Sequence, residues 1–124
     1  MIKYGTDTLL TNESKIITLD DFDDAIERLS QSDTLFLDIE SNGFEFNKNE
    51  ICGIGLATPD SEVMYFPFRH ADHPEVYGNL PNAQLVQVLR CIEQAEVLVG
   101  YNIKFDLKFL EYECGDTDIE DNFT

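Results

Sequence analysis

The sequence predicts a mixed α/β sheet with helices laid against it, and three observations carry that prediction. Three strand-like apolar segments follow one another between residues 34 and 68. A helix–strand–helix run follows them over residues 82–112, and a short strand and helix precede them. The order β-α-β-β-β-α-β-α fits one layer of sheet covered by helices, in a single domain of residues 1–124.

Each element has its own signal. Ile16-Ile17-Thr18-Leu19 is a short β-branched run and a strand candidate. Asp20 or Asp21 then caps a helix to about Leu29, with Phe22, Ile26 and Leu29 as its apolar stripe. Asp21, Asp23 and Asp24 favour the positive end of that helix. Thr34 to Glu40 alternates: Leu35, Leu37 and Ile39 line one face, Thr34, Phe36, Asp38 and Glu40 the other. Ser41-Asn42-Gly43 breaks it. Ile51–Thr58 and Glu62–Phe68 are strands joined through a hairpin-like Pro59-Asp60-Ser61 turn. Pro67 has no N–H for a ladder, so its strand ends there or lies at an edge. His70 to Pro81 is loop. Asn82 caps a helix to about Gln94 that buries Leu85, Val88, Leu89 and Ile92. Glu96–Gly100 is a further short strand, and Asn102 caps a helix from Ile103 to about Tyr112.

Composition bounds what the chain does. With 43% hydrophobic and 27% charged residues, the 124 residues suit one soluble core. No stretch approaches the roughly 18 apolar residues of a membrane span, and Met1–Gly5 opens no secretory signal. Cys52, Cys91 and Cys114 match no zinc spacing; the first two read as small core residues, which suits a reducing, cytoplasmic location. Eight Lys and Arg against 25 Asp and Glu give a net charge of −17. That balance opposes a plain electrostatic nucleic-acid binder. It suits a divalent-cation site, or an acidic surface facing a basic partner.

Three acids stand where acids are costly. Asp38 and Glu40 are two apart on a strand, so both leave one face. The run Leu35-Phe36-Leu37 before them predicts a strand buried on both sides. Two readings fit: the strand has reached solvent, or the pair serves a hard cation with oxygen ligands. Asp106 sits inside an apolar arc. At about 100° per residue from Ile103, Leu110 falls at about 340°, Phe109 at about 240° and Asp106 at about 300°, with Lys104 and Lys108 opposite. A buried hydrogen bond or a functional site both explain such an acid. Asn102, one turn before it, is an N-cap and also a candidate polar contact.

Leu35-Phe36-Leu37-Asp38-Ile39-Glu40-Ser41 resembles the first exonuclease motif of the DEDD (DnaQ-like, ribonuclease H-like) 3′→5′ exonucleases. Val99 to Asp106 resembles their second, which joins an Asn to a Phe/Tyr-Asp pair. Ile51 to Leu56 and the Tyr65-x-Pro67-x-x-His70 segment look closest to the proofreading domain of family A DNA polymerases. The likeness covers roughly residues 15 to 124. It implies a ribonuclease H-like mixed sheet and two divalent ions, Mg2+ or Mn2+. Asp38 would bridge both ions, Glu40 would hold one and help orient water, and Asp106 would hold the second. Ser41, Phe44 and Asn102 would touch the terminal nucleotide. Two ions suit phosphodiester hydrolysis, serving the attacking and leaving oxygens of an in-line displacement. The implied partners are the 3′ end of single-stranded DNA and a polymerase domain in the same or a companion chain, in a bacterial or phage replication context.

The family's third motif, Tyr-x-x-x-Asp or His-x-x-x-Asp, is expected several tens of residues after the second. Only residues 107–124 follow, and Asp116, Asp118 and Asp121 lie too close behind Asp106. The expectation is a fragment or split product, C-terminally incomplete, with weak or no activity alone. His70 and His73 lack the helical spacing of a zinc pair and read as loop histidines. Gly53-x-Gly55 is no phosphate loop; small residues for close strand packing explain it. Tyr101 suits either base stacking or core packing. Two alternatives stand beside proofreading: an exoribonuclease of the ribonuclease D type, and a non-catalytic acidic binding module on a degenerate exonuclease fold.

Overall fold

A computed structural model describes residues 2–4, 14–41, 50–71 and 78–100, together with Lys108 and Leu110. Among the described residues, six strands and two helices follow in the order β1 (Ile2–Tyr4), β2 (Lys15–Ile16), α1 (Phe22–Ser30), β3 (Thr34–Ser41), β4 (Ile51–Ala57), β5 (Met64–Pro67), α2 (Asn82–Gln94) and β6 (Val97–Gly100). They form one mixed sheet in the order β1-β6-β3-β4-β5-β2. The pairs β3–β4 and β4–β5 are antiparallel; β1–β6, β3–β6 and β2–β5 are parallel.

The alternation of β3 decides how the sheet is used. Leu35, Leu37 and Ile39 are buried, and their cross-strand partners continue the same face. Leu37 faces Leu56 and Ile39 faces Ile54; beyond them stand Met64 and Phe66. Helices α1 and α2 cover this face: Phe22 meets Phe66 edge-on at 5.9 Å, and Leu85, Val88, Leu89 and Ile92 join the same core. Leu110, which is helical, is buried in that core as well, whereas helical Lys108 is exposed. Phe36 is only half-buried, so β3 has one deep face and one half-covered face. That corrects the expectation of a strand buried on both sides: α1 and α2 pack on the leucine face alone.

Local chemistry moved several boundaries. The run after β2 turns early because Thr18 Oγ1 donates to Asp21 Oδ2 at 3.1 Å. Asp21 does hold the N-cap of α1, yet in a helical backbone conformation and with no side-chain cap bond. In α1 the deeply buried residues are Phe22, Ala25 and Leu29; Ile26 packs half-buried against the core. Pro81, not Asn82, caps α2. Its extended backbone (ψ 159°) presents a carbonyl that accepts from the Gln84 and Leu85 amides. β5 ends at Pro67 as its missing donor requires, and the Cys52 carbonyl instead takes the Phe68 and Arg69 amides at 2.8 and 3.0 Å. The segment Ile2–Tyr4 adds a strand that no pattern in the sequence announced. Cys91 is buried, and burial pushes its thiol up to about 11, while Cys52 is only half-buried.

Candidate functional site

The face of the sheet away from α1 and α2 carries the acids. Asp38 and Glu40 stand on it next to Phe36, all half-buried. Glu40 is the last residue of β3 before a register shift, since Glu40 pairs with Gly53 and Ser41 with Ile51. Cys52 is therefore the extra residue of a bulge on β4, a device that bends a strand beside a site. The bulge also returns Ile51 to the core side, where it is buried.

The electrostatics of the pair follow from this placement. Burial holds the Asp38 carboxyl above its usual 3.8. Burial, and then the charge of Asp38, hold Glu40 above its usual 4.5. Among the described residues neither carboxylate has a hydrogen-bond donor or an ion-pair partner. Half-buried, mutually repelling and unpaired acids are costly unless a cation joins them. Their hard oxygen donors suit Mg2+ or Mn2+. Among the described residues no cluster of three potential metal ligands occurs.

The other predicted site residues stand as follows. Strand alternation sends Ser41 to the opposite face from Glu40, at the end of β3. Phe44, Asn102 and Asp106 lie outside the described residues, as do His73, Tyr101, Cys114 and the acids 116–121. Tyr112 stands four residues before Asp116, the internal spacing of the expected third motif, and this pair too lies outside them. What does bear on that region is topology. Strands β3 and β6 are parallel, with Phe36 beside Val99. The chain therefore leaves β6 at the same end of the sheet as Asp38 and Glu40.

A second feature of this face was missed in the sequence. Gly55 lies opposite Asp38 and Gly53 opposite Glu40, so β4 presents no side chain beside either acid. Tyr65, paired with Gly55 from the far side, lays its ring across that bare strip. A Cβ on Gly53 would collide with the Tyr65 ring and hydroxyl. The hydroxyl shares a 2.6 Å hydrogen bond with His70 Nε2. His70 is held in turn by Asn79: its amide donates to Asn79 Oδ1 at 3.0 Å, and Asn79 Nδ2 donates to its carbonyl at 2.9 Å. The spacing of Tyr65 and His70 was the available signal, but nothing periodic joins a strand residue to the loop after it.

Comparison with known proteins agrees with this architecture. The family model described as the RNase_H superfamily matches residues 35–124, well over half of the chain. No curated protein matches the sequence. Among solved structures, the Aedes aegypti Nibbler EXO domain superposes with a TM-score of 0.55 at 16% identity, over 86% of this chain and 47% of that one. The Brucella melitensis NrnC structure with bound Mg2+ gives 0.46 at 17% identity, over 90% and 43%. A nuclease in its apo form gives 0.47 at 16% identity, over 90% and 42%. The chain thus spans less than half the length of the structures it is similar to. At such identities the likeness is one of fold: an α/β, ribonuclease H-like mixed sheet flanked by helices.

Proposed function

We propose that this chain, which belongs to the RNase H superfamily, carries the metal-binding acids of a DEDD-type 3′→5′ exonuclease that hydrolyses the terminal phosphodiester of a nucleic-acid strand. The observation that carries this reading is the pair Asp38 and Glu40, side by side on a half-buried sheet face, repelling each other and with no cation partner among the described residues. Its place also fits. Both acids stand toward the carboxyl end of β3, where open α/β sheets bind ligands. The third acid in this proposal is Asp106. It stands four residues before Leu110 in the sequence, and β6 ends at the same end of the sheet as the acid pair.

When bound, two divalent ions would supply a nucleophilic hydroxide at neutral pH and relieve charge on the leaving oxygen. The protein's own part would be to hold three carboxylates in fixed relation: Asp38, Glu40 and Asp106 would hold the ions. Asn102 and Phe44 would then position the terminal nucleotide, with Ser41 reaching it through its backbone, since its side chain leaves the face opposite Glu40. The finer assignment, DNA proofreading in company with a polymerase domain, rests on the Tyr65-x-Pro67-x-x-His70 likeness. The ribonuclease D type is its alternative, and paired DNA and RNA substrates separate the two.

The net charge of −17 favours one further reading, a non-catalytic acidic module on the same fold. A single experiment separates it from the nuclease. Mn2+ is titrated against the melting temperature of the chain and of Asp38→Ala, followed by release of mononucleotide from 3′-labelled single strands. The nuclease reading expects a Mn2+-dependent rise that Asp38→Ala loses. A chain indifferent to Mn2+, or an Asp38→Ala variant with an undiminished response, sinks it.

A further inference from the structure

The described acid face holds one group that the proposed chemistry leaves unused: Tyr65, with its partner His70. Cross-strand neighbours on one face have Cβ atoms about 4.5–5.5 Å apart. The Tyr65 hydroxyl occupies the space a Gly53 side chain would fill, and Gly53 is the direct neighbour of Glu40. The phenol therefore stands where the side chain beside Glu40 would stand. It has come there from the next strand over, across two glycines. Tyr65 is only 5% exposed, so its ring is a fixed wall rather than a mobile surface group. The 2.6 Å bond to His70 ties down its far end, and Asn79 ties down the backbone of His70 on both sides.

We propose that Tyr65 is a positioning residue for Glu40: its ring, admitted by Gly53 and anchored by His70, closes the β4 side of the acid pair and turns the Glu40 carboxylate toward Asp38, so that both bind one divalent ion. The physical reason is rotamer restriction. A Glu side chain has several free torsions, and a bare glycine strip beside it would let the carboxylate swing away from Asp38. With that space filled, the orientations over β4 are closed, the share that face Asp38 rises, and the repulsion between the two acids is held in place for a cation to relieve. This role rests on the metal-site reading above and assigns Tyr65 no contact with substrate.

The test uses the whole chain with 13C-labelled side-chain carboxylates, titrated with Mg2+ and read by NMR. In the wild type both Asp38 and Glu40 shift as the ion binds. In Tyr65→Leu the midpoint should rise about tenfold, the usual scale for losing an outer-shell support. More tellingly, Glu40 should lose most of its shift at saturation while Asp38 keeps its own. Tyr65→Phe and His70→Gln keep the ring and remove the anchor. They should raise the midpoint about threefold, one hydrogen bond's worth, with a partial loss at Glu40. They carry the test if the Tyr65→Leu variant does not fold. A full Glu40 shift at saturation in these variants overturns the inference, as does an equal loss at both acids. If neither acid responds to Mg2+ in the wild type, the metal-site reading itself fails and the inference falls with it.

Discussion

Replacing Gly53 by alanine tests the geometry of the acid face without touching an acid. Gly53 lies in ordinary strand backbone, outside the left-handed region, so its requirement is spatial and not conformational. An added Cβ would collide with the Tyr65 hydroxyl and the ring carbon that bears it, and would lie only 2.9 Å from the next ring carbon. Overpacking a tight site costs about 1–3 kcal/mol. Moving the ring also breaks the Tyr65–His70 bond, worth about 1 kcal/mol. Against this, Gly→Ala reduces unfolded-state freedom and returns about 0.4–1 kcal/mol. The balance is a loss of about 2 kcal/mol, or roughly 6–10 °C in melting temperature for a domain of this size. Thermal and urea denaturation followed by circular dichroism measure it. In a Tyr65→Leu background the same change should cost less than about 0.5 kcal/mol, because the ring that the new Cβ would strike is gone. A Gly53→Ala chain as stable as the wild type, or an undiminished loss in the Tyr65→Leu background, would refute the seat of Tyr65 over Gly53.

Two further outcomes follow from burial. Leu37, fully buried on the helix-covered face of β3, should lose about 2–5 kcal/mol as Leu37→Ala in urea denaturation, since two helices and the sheet cannot all close the cavity. Asp38 and Glu40 both have folded-state pKa values raised above their usual 3.8 and 4.5. Their stabilising contribution is therefore present below those usual values and is lost as pH rises through the raised ones. Metal-free chain should lose stability across that window, Asp38→Asn should lose less, and saturating Mg2+ should flatten the difference. Equal slopes for wild type and Asp38→Asn in the presence of chelator would contradict the desolvation of Asp38.

What could be read in the sequence was whatever has a period. The alternation of β3 was legible because Leu35, Leu37 and Ile39 must share a face for any strand to bury them. The stripe of α2 was legible for the same reason, and Leu85, Val88, Leu89 and Ile92 are all buried. Asp38 and Glu40 stood out because they leave one face, two apart, directly after the apolar run Leu35-Phe36-Leu37. What stayed hidden depends on partners distant in the chain. Strand β1 is three residues long and exists through its parallel pairing with β6, far along the chain, so nothing local marks it. The Pro81 cap was overlooked because Asn82 offers the more familiar capping side chain, whereas the structure uses a proline's fixed φ and its carbonyl. The size of Gly53 and Gly55 marks close approach in the sequence, and at Gly53 a ring does approach. Which ring approaches, and that it comes to rest beside Glu40, is fixed by the register of three strands.

The acidic composition takes on a different meaning once positions are known. Asp23, Asp24 and Glu27 lie on the exposed side of α1, where the first two face the positive end of the helix. Charges of that kind act on a phosphate through water and salt, and beyond about 8 Å physiological ionic strength screens most of their effect. Asp38 and Glu40 differ in place, not in type. They lie on a half-buried strand face, where water screens least and each other's charge is felt most. A divalent cation held there acts within a bond length of its ligands, inside the screening distance of everything else. The −17 of the whole chain and the field between Asp38 and Glu40 are thus set on different length scales: the first is screened by salt, the second is set by how deeply the two acids sit in the sheet face.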